Sequence, residues 1–332
     1  MKKFKKQIVG GFLALIILGV NVFPAKAVRM EKMEKPPERQ NFDVGPTSFP
    51  IDADAGGTYT RTIQITNWKR KDVNFKVEVE DFEGSLNPGE TVKLQGGEVG
   101  RFSARDWVKP ELDKFTMQFA DRMFMDIVIK VPENADAGDH YASVLISDIP
   151  DAPNPEDPEG QKKSNVLISA RVGVLFFIKV KGPVKEEGKL DSFTRVKKWY
   201  ENTHDEKKPV EFRSVFSNPG SVRLQPSGKI EIRNMLGQTV DNIIVDPYNV
   251  LRDSARGMSF VWKNNGFFLG RYTAKITLDR GYQNLQDVKT VSFYMFPWKV
   301  LLLGLVIFII FLIIMRFLVK NMDIKIGFKK KK

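Results

Sequence analysis

The sequence contains no cysteine and only 2 histidines in 332 residues. Without cysteine there is no disulfide scaffold, no lipobox residue for a lipid anchor and no thiolate metal site. The choice of nucleophiles narrows as well. An exported domain built without disulfides must rest on its own hydrophobic core, and so should be of full domain size. His140 and His204 fall in different stretches, and neither has a partner at metal-ligand spacing. No G-x-S-x-G, P-loop or G-x-G-x-x-G pattern is present. Paired carboxylates for a carbohydrate-active enzyme stay open as a minor alternative, although nothing singles out two of them. The expectation is a non-enzymatic chain with no catalytic residue, no metal and no cofactor.

Charge of one sign is also scarce over most of the chain, despite a formal net charge of +12. Lys2, Lys3, Lys5, Lys6 and Lys26 sit in the first 27 residues, and Arg316, Lys320, Lys325 and Lys329 to Lys332 sit at the other end. With these set aside, and Asp323 with them, the remainder is within about one charge of neutral. No basic face is implied, and nucleic acid is not an expected partner.

What is present in quantity is one long apolar run. Residues 300–315 carry no charge, and extension to 319 gives twenty positions, roughly 30 Å of helix, enough to cross a bilayer core. Trp298 lies at the depth aromatic belts prefer, whereas Arg316 and Lys320 lie where long cationic side chains reach the headgroups. These three are the expected membrane-anchor residues. The other end, 1–27, has a lysine-rich start, an apolar stretch and Ala25-Lys26-Ala27, the pattern of a cleaved signal peptide. An uncleaved first helix is the competing reading. The positive-inside rule then places the tail, 320–332, in the cytoplasm and the bulk of the chain outside, in a single-pass arrangement.

Between these ends the sequence divides into a spacer at 28–40, a first folded unit at 41–182 and a second at 183–296, with the membrane helix at 297–319. The spacer is charged, holds Pro36-Pro37 and has little to bury, so it is expected to be flexible. Apolar and polar residues alternate with period two over 58–67, 73–80, 124–131 and 141–147, and 166–180 suits one bent strand or two. The first two runs fit a hairpin or neighbouring strands of a sandwich; the next two read as a pair with 132–139 as their turn. In the second unit, alternation recurs at 190–196, 210–217, 229–234, 240–245, 258–262, 270–278 and 288–295, the strand count of an immunoglobulin-like domain. The expected fold is all-β: two tandem immunoglobulin-like β-sandwiches followed by one transmembrane α-helix.

Two stretches stand apart as candidate surfaces. Residues 82–123 are richer in Gly, polar residues and isolated aromatics, with 113–120 short and helical or irregular. Trp107, Phe115 and Phe119 in it form a candidate ligand or partner surface, although packing over the open end of the sandwich is the favoured reading. The Pro- and acid-rich loop 148–164 offers Asp151 and Asp157 to a partner, without the spacing of a calcium loop.

Several motifs resemble one family. Phe216-Ser-Asn-Pro-Gly220, Leu224-Gln-Pro-Ser-Gly228, Asn249-Val-Leu251, Phe268-Leu-Gly270-Arg-Tyr272 and Phe296-Pro-Trp-Lys299 look like the membrane-proximal domain of WxL-interacting-type bacterial cell-surface proteins. The stretch from Val131 through Gly138 to Tyr141 is similar to that family's first domain. The resemblance implies a surface protein whose first domain contacts peptidoglycan and whose second contacts a protein partner. The expected partners are therefore the membrane and cell wall or another surface protein, with no oligomeric state indicated. A factor acting in surface assembly or as a chaperone, by β-strand addition, is the second expectation.

Overall fold

The computed structural model describes residues 28–34, 41–85, 90, 92–150, 169–201, 209–263 and 269–321. The stretch 1–27, read as a signal peptide, and residues 322–332 of the expected cytoplasmic tail lie outside them, as do Asp151, Asp157 and His204. Among the described residues the chain is all-β apart from one C-terminal helix, and its strands form two β-sandwiches in tandem.

The first sandwich begins with β1 (Arg29–Lys32), β2 (Phe42–Gly45), β3 (Ser48–Ala53), β4 (Thr58–Asn67) and β5 (Val73–Glu80). A short ribbon of β6 (Phe82–Gly84) and β7 (Val92–Leu94) follows, then β8 (Val108–Pro110) and β9 (Lys114–Met117). Three long strands complete it: β10 (Asp121–Lys130), β11 (Gly138–Ile149) and β12 (Arg171–Val180). One sheet runs β1-β10-β4-β2, with β8 beside β1 on the same edge of β10; the other runs β3-β12-β11-β5-β9. Alternation explains the layering. Met123, Met125, Ile127 and Ile129 of β10 turn inward against Phe75, Val144, Phe176 and Ile178 of the facing sheet, and the intervening residues face out.

Three expectations are corrected here. Arg29–Lys32, placed in a flexible spacer, pairs with β10; Arg29 lies over the Phe124 ring at 5.0 Å, and Lys32 pairs with Asp121. The strands β10 and β11 are not paired: they lie in opposite sheets, and the turn between them crosses the end of the sandwich. Residues 114–117, read as helical or irregular, form an edge strand against β5. The strands β4 and β5 also sit in opposite sheets, which settles the choice between hairpin and sandwich neighbours.

The second sandwich comprises β13 (Lys189–Arg195), β14 (Trp199–Glu201), β15 (Val210–Asn218), β16 (Ser227–Arg233), β17 (Thr239–Val245), β18 (Ser254–Trp262), β19 (Gly270–Asp279) and β20 (Gln286–Phe296). Its sheets are β13-β15-β18 and β14-β20-β19-β16-β17. Aromatic residues dominate the core: the Phe293 ring meets those of Tyr200, Phe212, Trp262 and Tyr272. Seven of the eight strands coincide with the alternating runs. The eighth, β14, is three residues long and is positioned by its parallel pairing with β20.

The two units share one device. Asn67, at the end of β4, aims Nδ2 at the carbonyls of Lys71, Met117 and Gln118, while its Oδ1 accepts from the Lys69 N–H. Asn218, at the end of β15, repeats this with the carbonyls of Val222, Val250 and Leu251 and the Gly220 N–H. Each buried amide thereby ties the turn after its strand to a distant loop, supplying groups that could not otherwise be satisfied out of water.

After β20, Pro297 is the one residue before α1 (Trp298–Asn321). Its carbonyl accepts from Val300 and Leu301, closing the first turn. The helix is long and apolar enough to cross a membrane, and its side chains are exposed throughout the stretch from Trp298 to Lys320, as those of a lipid-facing helix would be.

Candidate functional site

A network of buried polar groups gathers where the sandwiches meet. β11 opens at Gly138, whose φ of +116° suits glycine, and a Cβ there would strike the Ser221 carbonyl. That close approach lets the Asp139 N–H donate to Ser221 O at 2.9 Å, joining the first unit to the second through backbone. The Asp139 carboxylate accepts from the Arg223 N–H at 2.6 Å. Two residues on, the Tyr141 hydroxyl accepts from the Arg252 N–H at 2.9 Å, and the Arg252 guanidinium donates to the Asp139 carbonyl and to Asp136.

Apolar contacts seal this network. Phe82, Tyr141 and Phe177 of the first unit form a buried cluster with Leu251 of the second, and Phe102 packs against it. Arg252 lies 4.0 Å over the Phe102 ring and Arg223 lies 4.6 Å over Phe177, so two cations of one sandwich cover two aromatics of the other. Arg101 forms an ion pair with Asp253 at the rim. Beside the seal a cleft of about 280 Å³ opens, lined by residues of both units including Glu83, Arg101, Phe102, Arg252 and Asp253. A polar recess of about 180 Å³ flanks Asp139, with Lys179 and Arg223 in its wall.

Burial raises the Asp139 pKa above its ordinary value of 3.8, although the Arg223 N–H bond and the charges of Arg223, Lys179 and His140 oppose the shift. Burial likewise lifts Tyr141 well above the usual phenol value, and the nearby Asp139 charge adds to it. A folded-state pKa above the unfolded value means that the folded state holds the proton more tightly. Asp139 therefore contributes stability below about pH 3.8 that is lost as pH rises through its folded-state pKa. Asp139→Asn keeps an acceptor for Arg223 and cannot ionise. Its unfolding free energy relative to wild type should therefore rise across that window, in denaturant titrations repeated from acid to neutral pH. A constant offset would show that Asp139 does not titrate in this way.

The aromatic candidates sit elsewhere. Trp107 is half-buried against the first core, its ring 4.5 Å from that of His140, whose Nε2 lies 3.0 Å from the Asp136 carbonyl. Phe115 stacks on Phe75 at 5.3 Å, and Phe119 is half-buried. Trp107 and Phe115 are partly buried and pack against the first core. The stretch around them still contributes to the junction, because Arg101 and Phe102 belong to it and Phe102 shares backbone hydrogen bonding with Tyr141. Trp298, Arg316 and Lys320 lie on the exposed helix.

Sequence reasoning missed Asp139, Arg223 and Arg252. A trace of them was visible: Gly138 to Tyr141, Asn218 to Gly220 and Asn249 to Leu251, quoted above as motifs, all converge on this junction.

No family model and no curated protein matches the chain. Among solved structures it is similar to the class 5 fimbriae chaperone CfaA, with 11% identity, 75% of this chain and 98% of that chain covered, and a TM-score of 0.37. It is also similar to a chain of the CsuC-CsuE chaperone-tip adhesion subunit pre-assembly complex of Acinetobacter baumannii, with 11% identity, 77% and 99% coverage, and a TM-score of 0.37. A third is the YadV chaperone, at 8% identity, 76% and 99% coverage, and a TM-score of 0.35. Likenesses at this level carry no partner or activity over to this chain.

Proposed function

We propose that the chain is a non-catalytic, membrane-anchored extracytoplasmic binding protein. It displays two immunoglobulin-like sandwiches to cell wall or to another surface protein. The observation that carries this reading is the junction. A buried polar and aromatic seal holds the sandwiches as one unit and leaves a two-sided cleft, while the far end of the second sandwich runs through a single residue into an apolar helix. Asp139 and Tyr141, whose pKa values burial raises, both hydrogen-bond across that seal. The leader pattern at 1–27, the lysine-rich tail and the resemblance to WxL-interacting-type surface proteins support an outward-facing ectodomain with the tail in the cytoplasm. A shallow, largely apolar hollow of about 420 Å³ lies on β4, β8 and β10 of the first sandwich, over Pro110 and Val128 with Lys109, Asp126 and Lys130 around them, and is a second surface open to a partner.

A second reading, strand addition, is favoured by one feature of β12. Its Arg171–Val174 portion pairs with β11, whereas β3 accompanies it only from Leu175 onward among the described residues. The other side of those four residues is a short open edge on which an extended segment could dock. The two readings separate in intact-cell crosslinking with a photoreactive amino acid. A substitution at Arg101 should give adducts if the cleft binds, and one at Val172 if strand addition operates.

A further inference from the structure

The lower end of the second sandwich collects apolar side chains that the fold leaves uncovered. β20 ends there at Phe296, next to the helix. Pairing places four other segments at the same level. β14 runs parallel to β20 with Trp199 opposite Tyr294, and Gly270 at the start of β19 lies opposite Met295. The end of β16 lies opposite Thr273 near that start, so the β16–β17 hairpin tip, Met235-Leu236, points the same way. A Cβ on Gly270 would collide with the Met235 side chain, which confirms that the tip folds across this end. Val196, just past β13, is held by the Glu211 carbonyl near the start of β15.

Six exposed large apolar side chains share this end. Leu236 is 77% exposed, Met235 62% and Trp199 59%, and Val196, Leu269 and Phe296 are exposed with them. Trp199 stacks on Tyr294 at 4.5 Å, which presents a flat aromatic pair rather than a mobile ring. Lys197, Lys198, Lys263 and Arg271 are exposed among them. Apolar and aromatic side chains interspersed with cations are the composition of surfaces that lie in the headgroup region of a bilayer. A water-facing domain end has no reason to expose this set.

We infer that this end of the second sandwich is a membrane-docking surface. The Met235-Leu236 tip and Trp199 enter the headgroup–acyl boundary, while the surrounding cations meet lipid phosphates. The inference rests on the reading of α1 as a membrane span, with which the surface is continuous. It adds that the ectodomain stands at a defined attitude and does not swing about Pro297. The occupant is the lipid surface, because the helix brings the bilayer to within one residue of Phe296.

The absence of cysteine makes the test clean, since any introduced cysteine is unique. The full chain is reconstituted in vesicles of phosphatidylcholine and phosphatidylglycerol, with one nitroxide at a time on Leu236→Cys, Trp199→Cys, Ile244→Cys or Leu305→Cys. Ile244 is exposed on β17, nearer the opposite end, and reports water; Leu305 lies within the helix. Oxygen and a water-soluble nickel chelate then compete as relaxing agents. Labels at 236 and 199 should favour oxygen, at a depth of about 5–10 Å, whereas the label at 244 should favour nickel. Nickel accessibility at 236 and 199 equal to that at 244, with 305 buried, overturns docking alone. Nickel accessibility at 305 overturns the membrane span itself. Omission of phosphatidylglycerol should reduce the protection at 236 and 199; unchanged protection would remove the role given to the cations.

Discussion

Phe293→Ala should lower the stability of the second sandwich by about 3–5 kcal/mol, the range for deletion of a large buried aromatic side chain. Phe293 is fully buried, and four aromatic rings surround it with centroids at 5.5–5.9 Å. Tyr200 and Trp262 cannot swing into the void without leaving their own contacts, because Tyr200 hydrogen-bonds the Glu211 carbonyl and Trp262 donates to Asp241. Domains of this size hold roughly 5–15 kcal/mol in total, so the loss would bring the unit close to unfolding. The first sandwich has a separate core and should keep its own transition. Tryptophan emission can follow both, since Trp68 and Trp107 report the first unit and Trp199 and Trp262 the second. A denaturation midpoint unmoved for the second unit would refute the packing described here.

Asn218→Ala should cost on the order of 3 kcal/mol and loosen the junction as well. The substitution removes two N–H donors and one acceptor from a buried site, leaving the carbonyls of Val222, Val250 and Leu251 and the Gly220 N–H short of partners. Its second effect follows from position. Val250 and Leu251 lead directly into Arg252, whose N–H bonds Tyr141 across the junction. Hydrogen exchange at Arg252 should therefore accelerate in Asn218→Ala by more than global destabilisation explains. Asn67→Ala, the matching change in the first unit, should cost a similar amount of stability and leave exchange at Arg252 slow. Equal acceleration in both variants would detach the amide device from the junction.

Much of this fold was legible in residue order because burial alternates where a sandwich alternates. β4, β5 and β17 occupy the alternating runs closely, and the second sandwich shows seven of its eight strands in the same way. What period two cannot convey is which sheet a strand joins, since the buried face looks the same from either layer. For that reason β10 and β11 read as a pair although they face each other across the core. The short strands β1, β8, β9 and β14 have too few residues for a period and are set by a neighbour's edge. The junction was least legible. Arg223 meets Asp139 across 84 residues and Arg252 meets Tyr141 across 111, and no local pattern encodes such pairings. Turns rich in Gly, Pro and Asn gave the one hint, because close approach between domains demands small residues and positive φ.

Crosslinking on intact cells from position 101 measures the central claim most directly, with Val172 as the comparison. Arg101 is exposed at the rim of the cleft, so a photoreactive side chain there leaves the sealed core of the junction in place. A membrane-anchored binding protein with its contact at the junction predicts discrete adducts from 101 to a cell-wall fragment or one surface protein. Adducts from 172 alone would transfer the contact to the open edge of β12. No adduct from either position, on cells where the ectodomain is accessible to an external protease, would contradict the account.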